Sequence, residues 1–118
     1  MSYDIDLNDP KTGEPCKLDV PHQMKGGTYQ VGGCPEASLN ITYNYAPIYT
    51  ECFGEKGIRF LYGKNAADTI PILEEAIDAL GDDVNPDYWA ATEGNAKAAL
   101  RQLVALAKMR PDGVWAGD

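Results

Sequence analysis

The chain has 118 residues, which is enough for one hydrophobic core and predicts a single domain spanning residues 1–118. Hydrophobic residues make up 44% and charged residues 24%, a composition typical of globular proteins that excludes a disordered chain. The net charge of −8 and the lack of a Lys/Arg cluster exclude general nucleic-acid binding.

Neither a membrane span nor a secretory leader is evident in the sequence. No run of about 18 apolar residues occurs, and no charged segment followed by an apolar one opens the chain. The three cysteines, Cys16, Cys34 and Cys52, are an odd number that is typical of reduced thiols. We therefore expect a cytoplasmic protein that makes no contact with membranes.

Residues 1–63 are rich in glycine and proline and predict a β-rich half. Apolar and acidic residues alternate over residues 3–7, which predicts an edge strand whose acids discourage pairing with another sheet. Residues 8–13 predict a turn. Alternating apolar residues after the turn, as far as Pro21, predict the second strand of a hairpin.

Two glycine pairs, Gly26-Gly27 and Gly32-Gly33, flank a short predicted strand at residues 28–31. Paired glycines indicate tight turns, bulges or backbone that a ligand approaches closely. Neither the Walker pattern, which ends in Gly-Lys-Ser/Thr, nor G-x-G-x-x-G on a strand–helix turn is present. Turn geometry is therefore the favoured reason for the paired glycines. Together with Thr28 and Tyr29, the first pair forms one part of a candidate ligand-binding site.

Residues 38–45 show the clearest strand pattern in the chain, and we predict that this strand lies at the centre of the sheet. One face of the strand is apolar or aromatic and carries Leu39, Ile41, Tyr43 and Tyr45. The other face is a polar row of Asn40, Thr42 and Asn44. This polar row, with Trp89 as an aromatic wall, completes the candidate ligand-binding site. Packing in the core or at the sheet surface is the alternative role for each of these residues.

After this strand we expect one helical turn near residues 48–53 and a short strand over residues 58–62. Residues 64–118 then predict a helical half. Asp68 or Thr69 is expected to cap a helix that contains Pro71 in its first turn and ends at Gly81. Thr92 is expected to cap a second helix ending near residue 110. Residues 114–115 are then expected either to add a terminal edge strand or to cover the core.

These elements predict an α+β fold, in which a small, mainly antiparallel sheet is packed by two antiparallel helices. No cofactor or metal is expected. Cys16, His22, Cys34 and Cys52 are too widely spaced for an ordinary zinc site, and no motif brings a cysteine next to the histidine as a nucleophilic pair. The aspartates of residues 82–87 do not match a calcium-binding loop.

Six short segments form a wider pattern: GGTY at 26–29, GG at 32–33, LNITYNY at 39–45, GEKGIR at 54–59, TEGNAK at 92–97 and MRPDGVW at 109–115. Together they resemble a family of small uncharacterised proteins encoded by bacteriophages and prophages. The resemblance brings no assigned activity or site residue. It implies an accessory protein made inside a bacterial host cell, of a kind that often acts on host machinery, including defence systems.

The sequence contains no catalytic motif and favours a non-catalytic binding protein. The first hypothesis is that it counteracts host defence by holding a small polar or nucleotide-type ligand. The alternative is an acidic inhibitor that docks on a basic host protein. A small enzyme is the third hypothesis. An exposed sheet edge and alanine-rich helices also predict a homodimer.

Overall fold

The computed structural model describes residues 2–24 and 33–118. It confirms the α+β fold class, with small antiparallel sheets and helices in one compact unit. The core sheet has the strand order β4-β1-β5, where β1 is Ser2–Asn8, β4 is Ser38–Thr42 and β5 is Val114–Gly117. The predicted edge strand, β1, is therefore the centre of this sheet, and the predicted central strand, β4, is at its edge.

Alternation along β1 and β4 gives the core sheet one apolar and one polar face. The apolar face packs against the helices and carries Tyr3, Ile5, Leu7, Leu39, Ile41 and Trp115, all at most 5% exposed. Antiparallel pairing sets Asp4 opposite Asn40 and Asp6 opposite Ser38 on the polar face. Asp4 and Asp6, which were expected to protect an edge strand, therefore lie on the polar face of the central strand.

A second, two-stranded sheet contains β2 (Lys17–His22) and β3 (Cys34–Glu36). The predicted hairpin between the first two strands is reduced to one isolated bridge between Asn8 and Pro15. Both hydrogen-bonding edges of β1 are occupied by β4 and β5, so β2 has no edge of β1 to pair with and turns to β3 instead.

The strand predicted over residues 38–45 stops at Thr42, where a 3₁₀ turn (Tyr43–Tyr45) leads into α1, Ala46–Phe53. The Thr42 hydroxyl accepts a hydrogen bond from the Asn44 amide, and this local cap ends the strand. A strand was also wrongly predicted after α1. That segment is a 3₁₀ helix, Gly57–Leu61, which buries Ile58 and Leu61 three positions apart.

The helix α2 is Ala66–Ala79 and begins earlier than predicted, because the Asn65 side chain caps it by accepting from the Ala67 amide. Thr69 is no cap, since its buried hydroxyl donates back to the Ala66 carbonyl. Pro71 therefore lies inside the helix. Its missing N–H removes one helical hydrogen bond to the carbonyl of Ala67, an exposed residue that water can reach.

The helix α3 is Glu93–Met109, and the predicted cap is confirmed, since Thr92 Oγ1 accepts from the Asn95 amide at 3.1 Å. The end of α2 lies beside the start of α3, where the Gly81 amide donates to Glu93 Oε1. At the opposite end, the Ala67 amide donates to the Pro111 carbonyl. The two helices are therefore antiparallel, as predicted. No helix in residues 2–24 and 33–118 has the length and apolar character needed to cross a membrane.

Candidate functional site

A pocket of about 270 Å³ lies on the polar face of the core sheet, beside the end of the β2–β3 ribbon. The floor comes from β1 and β4, and the wall comes from the ribbon and the residues next to it. The described residues that line this sheet-face pocket are Asp4, Ile5, Asp6, His22, Gln23, Met24, Gly33, Cys34, Ser38, Leu39 and Asn40. They come from three separate parts of the chain, which only the folded sheet brings together.

The floor consists of two cross-strand pairs whose side chains hydrogen-bond each other. Asn40 Nδ2 donates to Asp4 Oδ1 at 2.7 Å and to Ser2 Oγ at 2.6 Å. Ser38 Oγ donates to Asp6 Oδ1 at 2.5 Å. These bonds hold the two carboxylates in place on a regular strand pair.

His22 joins the wall to the floor and is only 8% exposed. The Met24 amide donates to its Nδ1 at 3.2 Å, so that nitrogen has to be the unprotonated one. The proton therefore lies on Nε2, which is 2.8 Å from the Ser38 carbonyl and donates to it. Both ring nitrogens of His22 therefore have a hydrogen-bond partner within the protein.

Cys34 lies directly opposite His22 in the β2–β3 pairing, an arrangement that no sequence motif indicated. Its thiol donates to the Glu36 carbonyl at 3.3 Å, and no hydrogen bond joins it to the imidazole. A cysteine nucleophile needs a nearby base to take its proton. Because both nitrogens of His22 have other partners, the two residues do not form such a pair in this arrangement.

The structure separates the predicted polar row. Asn40 lies in the sheet-face pocket, whereas Thr42 is 1% exposed and caps the following 3₁₀ turn. Asn44 is exposed beyond the strand, and its Nδ2 donates to the Trp89 carbonyl at 2.8 Å. Trp89 is outside the sheet-face pocket. The remaining predicted site residues, Gly26, Gly27, Thr28 and Tyr29, lie outside the described part of the chain.

Residues 81–91, which we call the acidic loop, form a second notable surface. Asp82, Asp83 and Asp87 are exposed there, together with Val84 (68%) and Trp89 (49%). The side chain of Asn95 on α3 holds the backbone of the loop in place. Asn95 Nδ2 donates to the carbonyls of Asp87 (2.9 Å) and Ala90 (3.1 Å), and its Oδ1 accepts from the Asn85 amide (3.0 Å).

Lys97 and Gly94 fix the other end of the acidic loop. The buried Lys97 ammonium donates to Asp82 Oδ1 at 2.7 Å and to the Leu80 carbonyl at 3.1 Å. This hydrogen bond and the charge of Lys97 lower the pKa of Asp82. A Cβ on Gly94 would lie 2.5 Å from the Val84 nitrogen, so only glycine lets the loop pack this closely on α3.

A larger depression of about 540 Å³ lies between β2 and the end of α3. Val20 and Met109 are exposed in it, at 75% and 49%. Its one guanidinium, Arg110, already binds Asp9, Asp112 and the Lys17 carbonyl. This depression therefore combines exposed apolar side chains with the charged residues Lys17, Asp19 and Arg110, and the guanidinium of Arg110 is already used within the protein.

The sequence interpretation missed Asp4, Asp6, Ser38, His22 and Cys34 as lining residues of one pocket. The available signal was the alternation of residues 3–7, which places both aspartates on one face. This alternation predicts which face of the strand carries Asp4 and Asp6, but it does not predict which strand lies beside it. Among the described residues, no three His, Cys, Asp or Glu side chains are grouped to hold a metal ion.

The comparisons with known proteins give no functional guide. No protein-family model matches the chain, and no curated protein or solved structure is significantly similar to it.

Proposed function

We propose that this protein is a non-catalytic binding protein that holds a small polar ligand in the sheet-face pocket. The observation that carries the proposal is the hydrogen-bonded floor of Asp4, Asp6, Ser38 and Asn40 beneath a concave wall. Binding sites for small molecules are usually concave, largely preformed and equipped with a few fixed polar groups. The sheet-face pocket has all three properties.

The chemistry of the lining supports binding over catalysis. Acyl or phosphoryl transfer needs a nucleophile next to a base, or an acid and a base poised on either side of a substrate. Here the imidazole of His22 connects the Met24 amide to the Ser38 carbonyl, and the Cys34 thiol donates to the Glu36 carbonyl. These groups have structural partners, so a small enzyme stays the least favoured function.

The proposed biological role is based on the resemblance to phage and prophage proteins. An accessory protein of this kind, made in the cytoplasm of a bacterial host, would withdraw a host signal molecule by binding it and so counteract defence. A nucleotide-type signal was the expectation from the sequence. The two carboxylates in the floor, however, would repel the phosphates of such a signal.

The first test is native mass spectrometry of the protein purified from a bacterial host. We expect a retained small-molecule mass in the wild type and its loss in Asn40→Tyr, which fills the floor of the pocket. Asn44→Tyr is the matched control, because it makes the same change at an exposed asparagine that lies beyond β4 and does not line the pocket. The same spectrum reports the oligomeric state, for which the sequence predicts a homodimer.

Two results would contradict the binding proposal. One is a ligand-free spectrum combined with no effect of host small-molecule extracts on the alkylation rate of Cys34, which lines the pocket. The other is a retained ligand that Asn40→Tyr and Asn44→Tyr displace equally. Circular dichroism of both variants shows whether they are folded, so that loss of binding is not mistaken for loss of structure.

The acidic loop supports a second function, docking on a basic host protein. Two observations favour docking. Trp89 and Val84 are exposed among three aspartates, and Asn95 fixes the backbone that carries them. Exposed tryptophans often dominate the energy of protein interfaces, and a preformed loop loses little entropy on binding. The surrounding negative charge complements a partner with a basic surface.

Capture of host proteins tests the docking function. We expect Trp89→Ala to weaken capture of a specific partner about tenfold or more, and about 0.5 M salt to weaken it further by screening. Ile72→Ala is the control, since Ile72 is also exposed (42%) but lies on α2. Capture that is equal for both variants, or indifferent to salt, would count against docking by the acidic loop.

A further inference from the structure

The donor groups of the sheet-face pocket are already used within the protein. Asn40 Nδ2 donates to Asp4 and Ser2, and Ser38 Oγ donates to Asp6. In the wall, the imidazole N–H and the Cys34 thiol both donate to main-chain carbonyls. Of the described side chains that line the pocket, the amide of exposed Gln23 at the rim is the only uncharged donor left over.

The acceptors of the pocket are in the opposite situation. Within the described chain, each floor carboxylate, Asp4 and Asp6, uses only Oδ1 and keeps Oδ2 for other contacts, and Asn40 Oδ1 has no hydrogen bond. A carboxylate accepts several hydrogen bonds, so these groups retain most of their capacity. No Lys or Arg side chain is among the described residues that line the pocket.

From this imbalance we propose that the ligand is a small organic cation carrying amine groups, such as an aliphatic diamine or polyamine. The inference rests on the proposed binding function and specifies its ligand. Ammonium groups supply both missing features, since each brings three donors, a positive charge and no acceptor. Charge-assisted hydrogen bonds to carboxylates are also the stronger ones.

The spacing of the carboxylates favours a ligand with two positive groups. Asp4 and Asp6 are two residues apart on one face of β1, which places their Cα atoms roughly 7 Å apart. A diamine with a short methylene chain can engage both carboxylates at once. Its methylenes would lie along the strand near Met24, whose half-buried side chain is the apolar part of the wall.

A phosphate group is poorly suited to the same floor. It would come close to two carboxylates and would find no cation among the described lining residues, so like charges would repel it. A nucleotide would have to keep its phosphates outside the pocket. The ligand chemistry is therefore selected by charge, in addition to size.

The test measures how ligands change the alkylation rate of Cys34 in the full-length protein. Cys34 lines the pocket, whereas Cys52 on α1 is equally half-buried elsewhere and serves as the internal control. We expect putrescine and spermidine to slow alkylation of Cys34 alone, in a saturable manner. ATP and a cyclic dinucleotide are expected to have no effect.

Isosteric variants connect this protection to the two carboxylates. Asp4→Asn and Asp6→Asn keep an acceptor for Asn40 and Ser38 but remove the charge, so each is expected to weaken polyamine binding about tenfold. Asp78→Asn removes the same charge from an exposed position on α2 and is expected to leave binding unchanged. Titration calorimetry of the folded variants gives the ratios.

The outcomes separate this inference from the binding function. Protection by an anionic ligand, lost in Asn40→Tyr, would overturn the cation inference and leave the pocket as a binding site. Equal weakening in Asp78→Asn would also overturn it, because general attraction to an acidic protein would then explain the binding. Protection by neither class, with no ligand retained from the host, would contradict the binding function itself.

Discussion

Replacing Trp115 with alanine is expected to lower the free energy of unfolding by about 4 kcal/mol, the largest loss we expect from one substitution. Trp115 is 1% exposed and lies on β5, and its indole N–H donates to Thr69 Oγ1 on α2 at 2.8 Å. It therefore joins the core sheet to the helical layer. Since a small domain is typically stable by about 5–15 kcal/mol, this loss is at least about a quarter of the total stability.

Two further variants separate the packing of Trp115 from its hydrogen bond. Trp115→Phe keeps most of the apolar volume and loses the donor, so a cost of about 1–2 kcal/mol is expected. Thr69→Val leaves the buried indole N–H without its acceptor, for a cost of about 1–3 kcal/mol. Urea denaturation followed by circular dichroism measures all three. A Trp115→Ala variant no less stable than Trp115→Phe would show that the ring is not a main packing element.

The fold class could be predicted because the apolar periodicity of the strands and α3 is local information. Two of the errors occurred where a side chain bonds to its own neighbouring backbone. The alternation of residues 38–45 continues through Asn44, yet Thr42 accepts from the amide two residues later and turns the chain into a helix. Similarly, Asn65 and Thr69 are both suitable caps by residue type. Only their hydrogen bonds show that Asn65 caps α2.

The sheet-face pocket was less predictable because it depends on strand order. The sequence places Asp4 and Asp6 on one face of a strand, but nothing in it says that β4 is the neighbour of that strand. The sequence pattern suggested that Asp4 protects a sheet edge. Its pairing with Asn40 instead makes it part of the floor of a pocket. Asn40 lines this pocket, but the pairing that places it there joins residues far apart in the sequence.

Substituting Asn95 with alanine is expected to cost about 2–3 kcal/mol in the free energy of unfolding and to loosen the acidic loop. Asn95 is 7% exposed, and its one amide makes three hydrogen bonds to the backbone of residues 85–90. The cost stays moderate because the exposed loop can turn its freed backbone groups to water. Loss of these bonds also removes the rigid support beneath Trp89.

Gln102→Ala is the matched control for Asn95→Ala, because Gln102 is a half-buried amide on the same helix without a side-chain hydrogen bond in the described chain. We expect its stability to change by no more than about 0.5 kcal/mol. Hydrogen exchange should accelerate over residues 81–92 in Asn95→Ala only. If the acidic loop docks on a basic partner, Asn95→Ala should weaken capture even with Trp89 intact, because a mobile loop has to be ordered on binding. Unchanged exchange in the loop would show that Asn95 does not hold it in place.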